Sequence, residues 1–162
     1  METRWLDDEE QRAWRAYRSL TLLMEDTLDQ RLRRDAGISH LYYSVLVFLS
    51  EAPDGRLRMT DLAEALKVAR SRLSYTISRM ADEGLVRREG DPGDRRGQLA
   101  VVTEAGLSTL ERAAPGHVAT VRAAVFDRLE PEQVRVFGEV CEIVLAALSG
   151  PDRPAGDLPW RR

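Results

Sequence analysis

Apolar residues recur at helical spacing along most of this chain, and the points where the spacing breaks divide it into elements. Between Asp8 and Asp35, Trp14, Tyr17, Leu20, Leu23, Met24, Leu28 and Leu32 fall near a 3.6-residue period with no proline or glycine before Gly37, which predicts one long helix. Ser39 is placed to cap a shorter apolar helix that runs to Ala52 and stops at Pro53-Asp54-Gly55. A third helix is expected over Asp61-Leu62-Ala63-Glu64-Ala65-Leu66, with Thr60 as its cap. After Lys67-Val68-Ala69, the segment from Arg70 to Met80 carries Leu73, Ile77 and Met80 on one helical face. Gly84 ends that helix, and Leu85 to Glu89 and Gln98 to Val102 read as strands on either side of a turn-rich stretch, Gly90 to Gly97. The helical period returns from Glu104 to Leu129, with a kink expected at Pro115-Gly116, and again from Glu132 to Leu148, where Val136, Val140, Ile143, Val144 and Ala147 form a stripe.

Helix, tight turn, helix and hairpin in that order predict a mainly α fold with a small β-hairpin wing: a winged helix-turn-helix core over residues 39–103 embedded in a helical dimerisation scaffold. The scaffold comprises residues 1–38 and 104–149, and residues 150–162, rich in proline, glycine and charge, are expected to be a disordered tail. At 162 residues and 43% apolar content the chain supports one such unit. Its terminal helices carry more apolar surface than one small winged domain can cover, so a homodimer is expected.

The face of the Arg70–Met80 helix opposite its apolar stripe points to double-stranded DNA. Ser71, Ser74, Tyr75 and Ser78 fall in one row, with Arg72 and Arg79 along its flank and Arg70 near its start. Hydroxyls, a phenol and guanidinium groups can reach phosphates and base edges, whereas a merely solvated face more often alternates Glu and Lys. In the hairpin, Arg95 and Arg96 are suited to the negative potential of a minor groove, and Asp94 could pair with Arg96 and hold its fork. Charge supports this placement. The chain as a whole carries −3, yet from Lys67 to Gly97 basic residues outnumber acidic ones by eight to five.

These residues resemble the MarR-type transcriptional regulators. The resemblance rests on Leu62-Ala63-Glu64-Ala65-Leu66, Arg70-Ser71-Arg72-Leu73-Ser74, Glu83-Gly84-Leu85-Val86-Arg87-Arg88, the wing Asp94-Arg95-Arg96-Gly97 and Leu99-Ala100-Val101-Val102-Thr103-Glu104-Ala105-Gly106. The flanking helices match by length and pattern. Ala69 departs from the family, which commonly caps the recognition helix with Ser or Thr. The resemblance implies a winged helix-turn-helix homodimer with intertwined terminal helices, a pseudo-palindromic operator, repression, and release by a small aromatic or anionic effector. Trp14, Tyr17, His40, Tyr42 and Tyr43 are candidates to line the effector pocket, against the plainer reading that they are core and interface residues.

Other functions find less support. No glycine-rich loop joins a strand to a helix, and no cysteine pairs with a nearby histidine, so an enzyme is not expected and no cofactor is called for. His40 and His117 lack metal-site spacing. No apolar run is long enough to cross a membrane, no signal-peptide pattern opens the chain, and the single cysteine forms no intrachain disulfide; a cytoplasmic protein is expected. Cys141 sits among Val140, Ile143 and Val144, where burial as a packing residue is the expectation and redox sensing the alternative. The runner-up to a DNA-binding regulator is a winged-helix module that binds another protein.

Overall fold

The computed structural model describes residues 2–149, except for the side chains of Arg95, Arg96 and Ser149. Helix α1 spans Asp8–Ala36, opened by a capping box between Asp7 and Glu10 and closed by Gly37 in the left-handed region at φ 70°. Helix α2, His40–Glu51, begins where the Ser39 hydroxyl accepts the Tyr42 amide at 3.2 Å. A short 3₁₀ turn, Pro53–Gly55, then leads into strand β1, Arg56–Arg58. Helices α3, Met59–Ala65, and α4, Arg70–Asp82, form the helix-turn-helix. The wing is β2, Val86–Asp91, and β3, Asp94–Val102. Helix α5, Glu104–Ala124, a 3₁₀ turn at Phe126–Arg128 and helix α6, Pro131–Ser149, complete the described chain.

One core unites the lobe. Leu32 of α1, Val45, Leu46 and Leu49 of α2, Leu62 of α3, Leu73, Ile77 and Met80 of α4, Val86 and Ala100 of the sheet and Ala113 of α5 are buried together. The stripe expected on α4 is therefore its inner face, joined by buried Thr76. Close approach at the base of the wing requires glycine. A Cβ on Gly106 would lie 2.2 Å from the Leu85 carbonyl oxygen. Beside it, Thr103 caps α5 by accepting the Gly106 amide at 3.1 Å, and its hydroxyl donates to the Gly84 carbonyl at 2.6 Å.

Four sequence expectations change. The hairpin is a three-stranded antiparallel sheet in the order β1-β3-β2, because Arg56 pairs with Val101 and Arg58 with Leu99. An Arg-Leu-Arg tripeptide is too short to show a two-residue period and exists as a strand only by pairing with β3. Thr60 does not cap α3. The β1 pairing delivers the chain into the helix two residues earlier, at Met59, with Arg58 in the cap position, and the Thr60 hydroxyl instead meets the Asp61 carboxylate at 3.3 Å. The turn-rich stretch is shorter than its composition suggests, since the ladder continues through Gly90 opposite Gln98 and Asp91 opposite Asp94.

The fourth change concerns the end of α5, which runs through Pro115 as one helix and stops at Ala124 rather than reaching Leu129. Proline removes one amide, but the neighbouring turns remain, and the Thr120 hydroxyl donates to the Gly116 carbonyl at 2.8 Å. Gly116 lies so near α1 that a Cβ there would come within 2.1 Å of the Asp35 carboxylate. The α1–α5 contact thus holds the helix across its proline. Residues 150–162, expected as a tail, lie outside the described residues.

Candidate nucleic-acid interface

Helix α4 turns its polar face outward. Arg70, Ser71, Arg72, Tyr75, Ser78 and Arg79 are exposed, Tyr75 to 70%, while Ser74 is half-buried. No side chain caps the start of α4, as Ala69 implies, so its first amides point outward without a local acceptor. Lys67 in the preceding turn sits at φ 53°, the left-handed conformation that reverses the chain between the two helices.

The row on α4 is not uniform. Arg88 of β2 donates through Nη2 to the Ser74 carbonyl and, at 3.1 Å, to its hydroxyl, so Ser74 links α4 to the wing. Arg79 lies at the far end of the helix, within hydrogen-bond reach of Tyr42. The Tyr42 hydroxyl donates to Glu83 at 3.3 Å, and burial followed by the nearby Glu83 charge raises its pKa, partly offset by Arg79. Ser71, Arg72, Tyr75 and Ser78 form the open part of the row.

Wing and helix share one cleft of about 320 Å³, lined on the helix side by Arg70 and Ser74 and on the sheet side by Arg58, Arg88, Asp94, Gly97 and Gln98. The wing turn is organised by Asp91. Its carboxylate accepts the Gly93 amide at 2.8 Å and forms an ion pair with Arg58, Oδ2 to Nε at 2.7 Å, and its side chain is only 8% exposed. The sequence reading gave Asp94 a different task, holding the fork of Arg96, and that pairing falls on a side chain outside the described ones. The Asp91-Pro92-Gly93 run was the available signal, since Asp followed by Pro-Gly favours a turn closed by the aspartate on the amide two residues on. Arg58 carried no such signal, because nothing local shows that β1 brings it to the wing.

Four of the five aromatic candidates for an effector pocket fall into two groups, and Tyr42 joins neither, its hydroxyl being turned to Glu83. Trp14 stacks on Tyr17, ring centroids 5.7 Å apart, on the outer half of α1 beside a hollow of about 300 Å³ lined by Trp5, Leu6, Gln11, Trp14 and Arg15. About 16 Å further along α1 by helical rise, Glu25 meets His40 Nδ1 at 2.8 Å. There Tyr43 stacks on His117 at 4.4 Å and His40 lies 5.9 Å from the same ring. Burial, then the nearby His40, lowers the His117 pKa. Tyr43 is itself a core residue at 8% exposure, and burial raises its pKa. His117, which the sequence did not single out as a lining residue, joins α5 to this second group.

Cys141 is exposed, contrary to the burial expected from its apolar neighbours. Val140, Ile143 and Val144 around it are uncovered as well, at 53%, 70% and 51%, because α6 has no extended packing against the rest of its own chain.

This arrangement of helices and wing matches known regulators. The sequence profile of the MarR family matches residues 36–97. Sco3205, a MarR family transcriptional regulator from Streptomyces coelicolor whose crystal structure was solved in complex with DNA, is 52% identical, with 99% of each chain covered and a TM-score of 0.88. This chain belongs to the MarR family. AbsC, a second MarR family regulator of Streptomyces coelicolor, is 42% identical over 90% of this chain and 98% of its own, with a TM-score of 0.83. Among curated relatives, the transcriptional repressor YetL of Bacillus subtilis is 28% identical over 109 residues, 65% of each protein. Membership places the chain among transcriptional regulators rather than enzymes. No helix among the described residues is long and apolar enough to cross a membrane.

Proposed function

We propose that this MarR family protein is a homodimeric repressor that binds a pseudo-palindromic operator through α4 and the wing and leaves it when a small aromatic or anionic effector binds. The observation that carries the reading is the cleft shared by α4 and β1–β3, which sets the recognition helix and wing on one side of the molecule. Ser71, Arg72, Tyr75 and Ser78 would meet the major groove and its phosphates, with Arg70 and Arg79 at the two ends of the row. Arg95 and Arg96 would enter or border the minor groove beside it, with Asp94 orienting Arg96.

The second copy is the occupant that fits the open apolar faces. Leu22 and Leu23 on α1 and Ile143 and Leu148 on α6 are 62%, 67%, 70% and 80% exposed, surface that a lone chain in water would not leave contiguous. A twofold axis through these helices would put two recognition helices about 34–36 Å apart, one turn of DNA. The Tyr43–His117–His40 group lies where α1, α2 and α5 meet, between that scaffold and the lobe. A ligand seated there would favour dimers whose helix spacing no longer fits the operator.

Selection of fragments from the parent genome by the purified protein, at about 150 mM salt where nonspecific attraction is screened, tests the reading. Enrichment of one pseudo-palindrome supports it and supplies the probe for effector screening. Capture of DNA no better than random sequence overturns it in favour of a protein-binding winged helix.

A further inference from the structure

A helix in a major groove and a wing in the adjoining minor groove are separated by one sugar-phosphate strand, which must pass over whatever lies between them. In this protein that place is the 320 Å³ cleft, and three guanidinium groups from three separate elements line it: Arg58 from β1, Arg70 from the first turn of α4 and Arg88 from β2. Thr60 and Gln98 add neutral polar groups, and the Asp94 carboxylate stands on the wing side.

Two of these arginines are held in place. Arg58 is tied through Nε to the nearly buried Asp91, which also organises the wing turn, and its own side chain is 51% exposed. Pairing through Nε leaves the two Nη groups as donors for a second anion. Arg88 is tied to the carbonyl and hydroxyl of Ser74. Holding a guanidinium by one edge while another edge faces solvent preorganises it for a tetrahedral oxyanion at little further cost in side-chain entropy.

We infer that this cleft seats one phosphate of the DNA backbone, with Arg58, Arg70 and Arg88 as its contacts and Asp91 and Ser74 as positioning residues. The inference rests on the DNA-binding reading above and gives Arg70 and Ser74, both on the α4 row, to the backbone. Ser74 serves the phosphate seat through Arg88, and sequence readout falls to Ser71, Arg72, Tyr75 and Ser78. Arg58, outside both the helix pair and the wing, becomes a residue that fixes the register of the protein on the duplex.

Fluorescence anisotropy on the full chain, with the selected duplex and a random-sequence duplex of equal length over about 50 to 250 mM salt, tests this. Arg58→Ala is expected to weaken both complexes by about tenfold and to lower the salt slope by about one per half-site. Arg58→Lys should recover the slope without the full affinity, since the charge returns and the fork does not. Arg70→Ala, which removes a cation from a helix start and so does not endanger α4, should reproduce the Arg58→Ala behaviour. Ser74→Ala should weaken both duplexes equally and add nothing to Arg88→Ala. An unchanged slope in both Arg58→Ala and Arg70→Ala, or a loss confined to the selected duplex, would overturn the seat. Altered base preference in Ser74→Ala would return Ser74 to the readout row and remove its positioning role. If no sequence is preferred, the random duplex alone decides, so the seat can stand while the operator fails. Absence of salt-dependent binding by the unaltered protein would end both.

Discussion

The winged lobe and the terminal helices are built from the same kinds of residue, yet they end in opposite states. In the lobe, Leu46, Leu49, Leu62, Leu73 and Ile77 are wholly buried. In α6, Val140, Ile143 and Leu148 are at least half exposed, and the first half of α1 leaves Trp14, Tyr17, Leu22 and Leu23 in the same condition. Both regions have amphipathic helices with clear apolar stripes. They differ in what stands opposite: α4 packs on α3 and β2 within the shared core of the lobe, whereas no element among the described residues packs extensively on α6. An apolar stripe therefore specifies that a helix must pack, and topology decides whether the partner comes from the same chain or from another.

The sharpest test of that contrast is to remove equivalent side chains from each region. Leu73→Ala, at the centre of the lobe, should lower unfolding stability by about 2–5 kcal/mol in urea titrations, because it leaves a cavity that surrounding helices cannot close. A cost under about 0.5 kcal/mol, the size of an ordinary surface substitution, would mean the lobe core is not the folding unit described here.

Next in size is the paired change Val140→Asp with Ile143→Asp on α6. Sedimentation should show monomers, far-UV circular dichroism should keep the helical signal of the lobe, and operator affinity should fall on the order of 10²-fold as the second half-site contact becomes bimolecular. Dimers that survive both charges would show that α6 is not the interface and would break the comparison at its weaker side.

The smallest effect belongs to the seam between the regions, where His117 of α5 stacks on Tyr43 of α2. Burial and the adjacent His40 depress the His117 pKa, so the folded state favours the neutral ring. The unfolded chain titrates near the ordinary value of about 6.5, which makes this contribution complete above that pH and progressively lost as pH falls below it toward the depressed native value. Thermal unfolding between about pH 7 and pH 5 should show a declining midpoint, and His117→Gln should flatten the decline. An equal pH slope in the variant would assign the acid sensitivity to other groups.

Much of the fold was legible because its signals are local. The α1 boundaries, the Ser39 cap, the Gly84 stop at φ 75° and the inward face of α4 follow from periodicity and from residues whose backbone preferences are strong. The exceptions share one cause. Strand β1 and the helix start at Met59 depend on a segment distant in sequence, β3. In the candidate site the same division holds. The exposed hydroxyls, phenol and arginines of α4 could be listed from helical spacing, but the pairing of Arg88 with Ser74 and of Arg58 with Asp91 spans 14 and 33 positions. Asp91 orders the wing turn because the ladder continues to it and folds its side chain inward, a placement that depends on the register of β2 with β3.

By itself, then, the sequence determined the helices, the winged order of elements and the face of α4 that is free to meet a groove, since each depends on spacing within a few turns of chain. Tertiary structure decided which arginines share a cleft and which apolar stripes stay uncovered. Those properties are set by strand register and helix packing, where residues far apart in the chain come within bonding distance and no local pattern records the encounter.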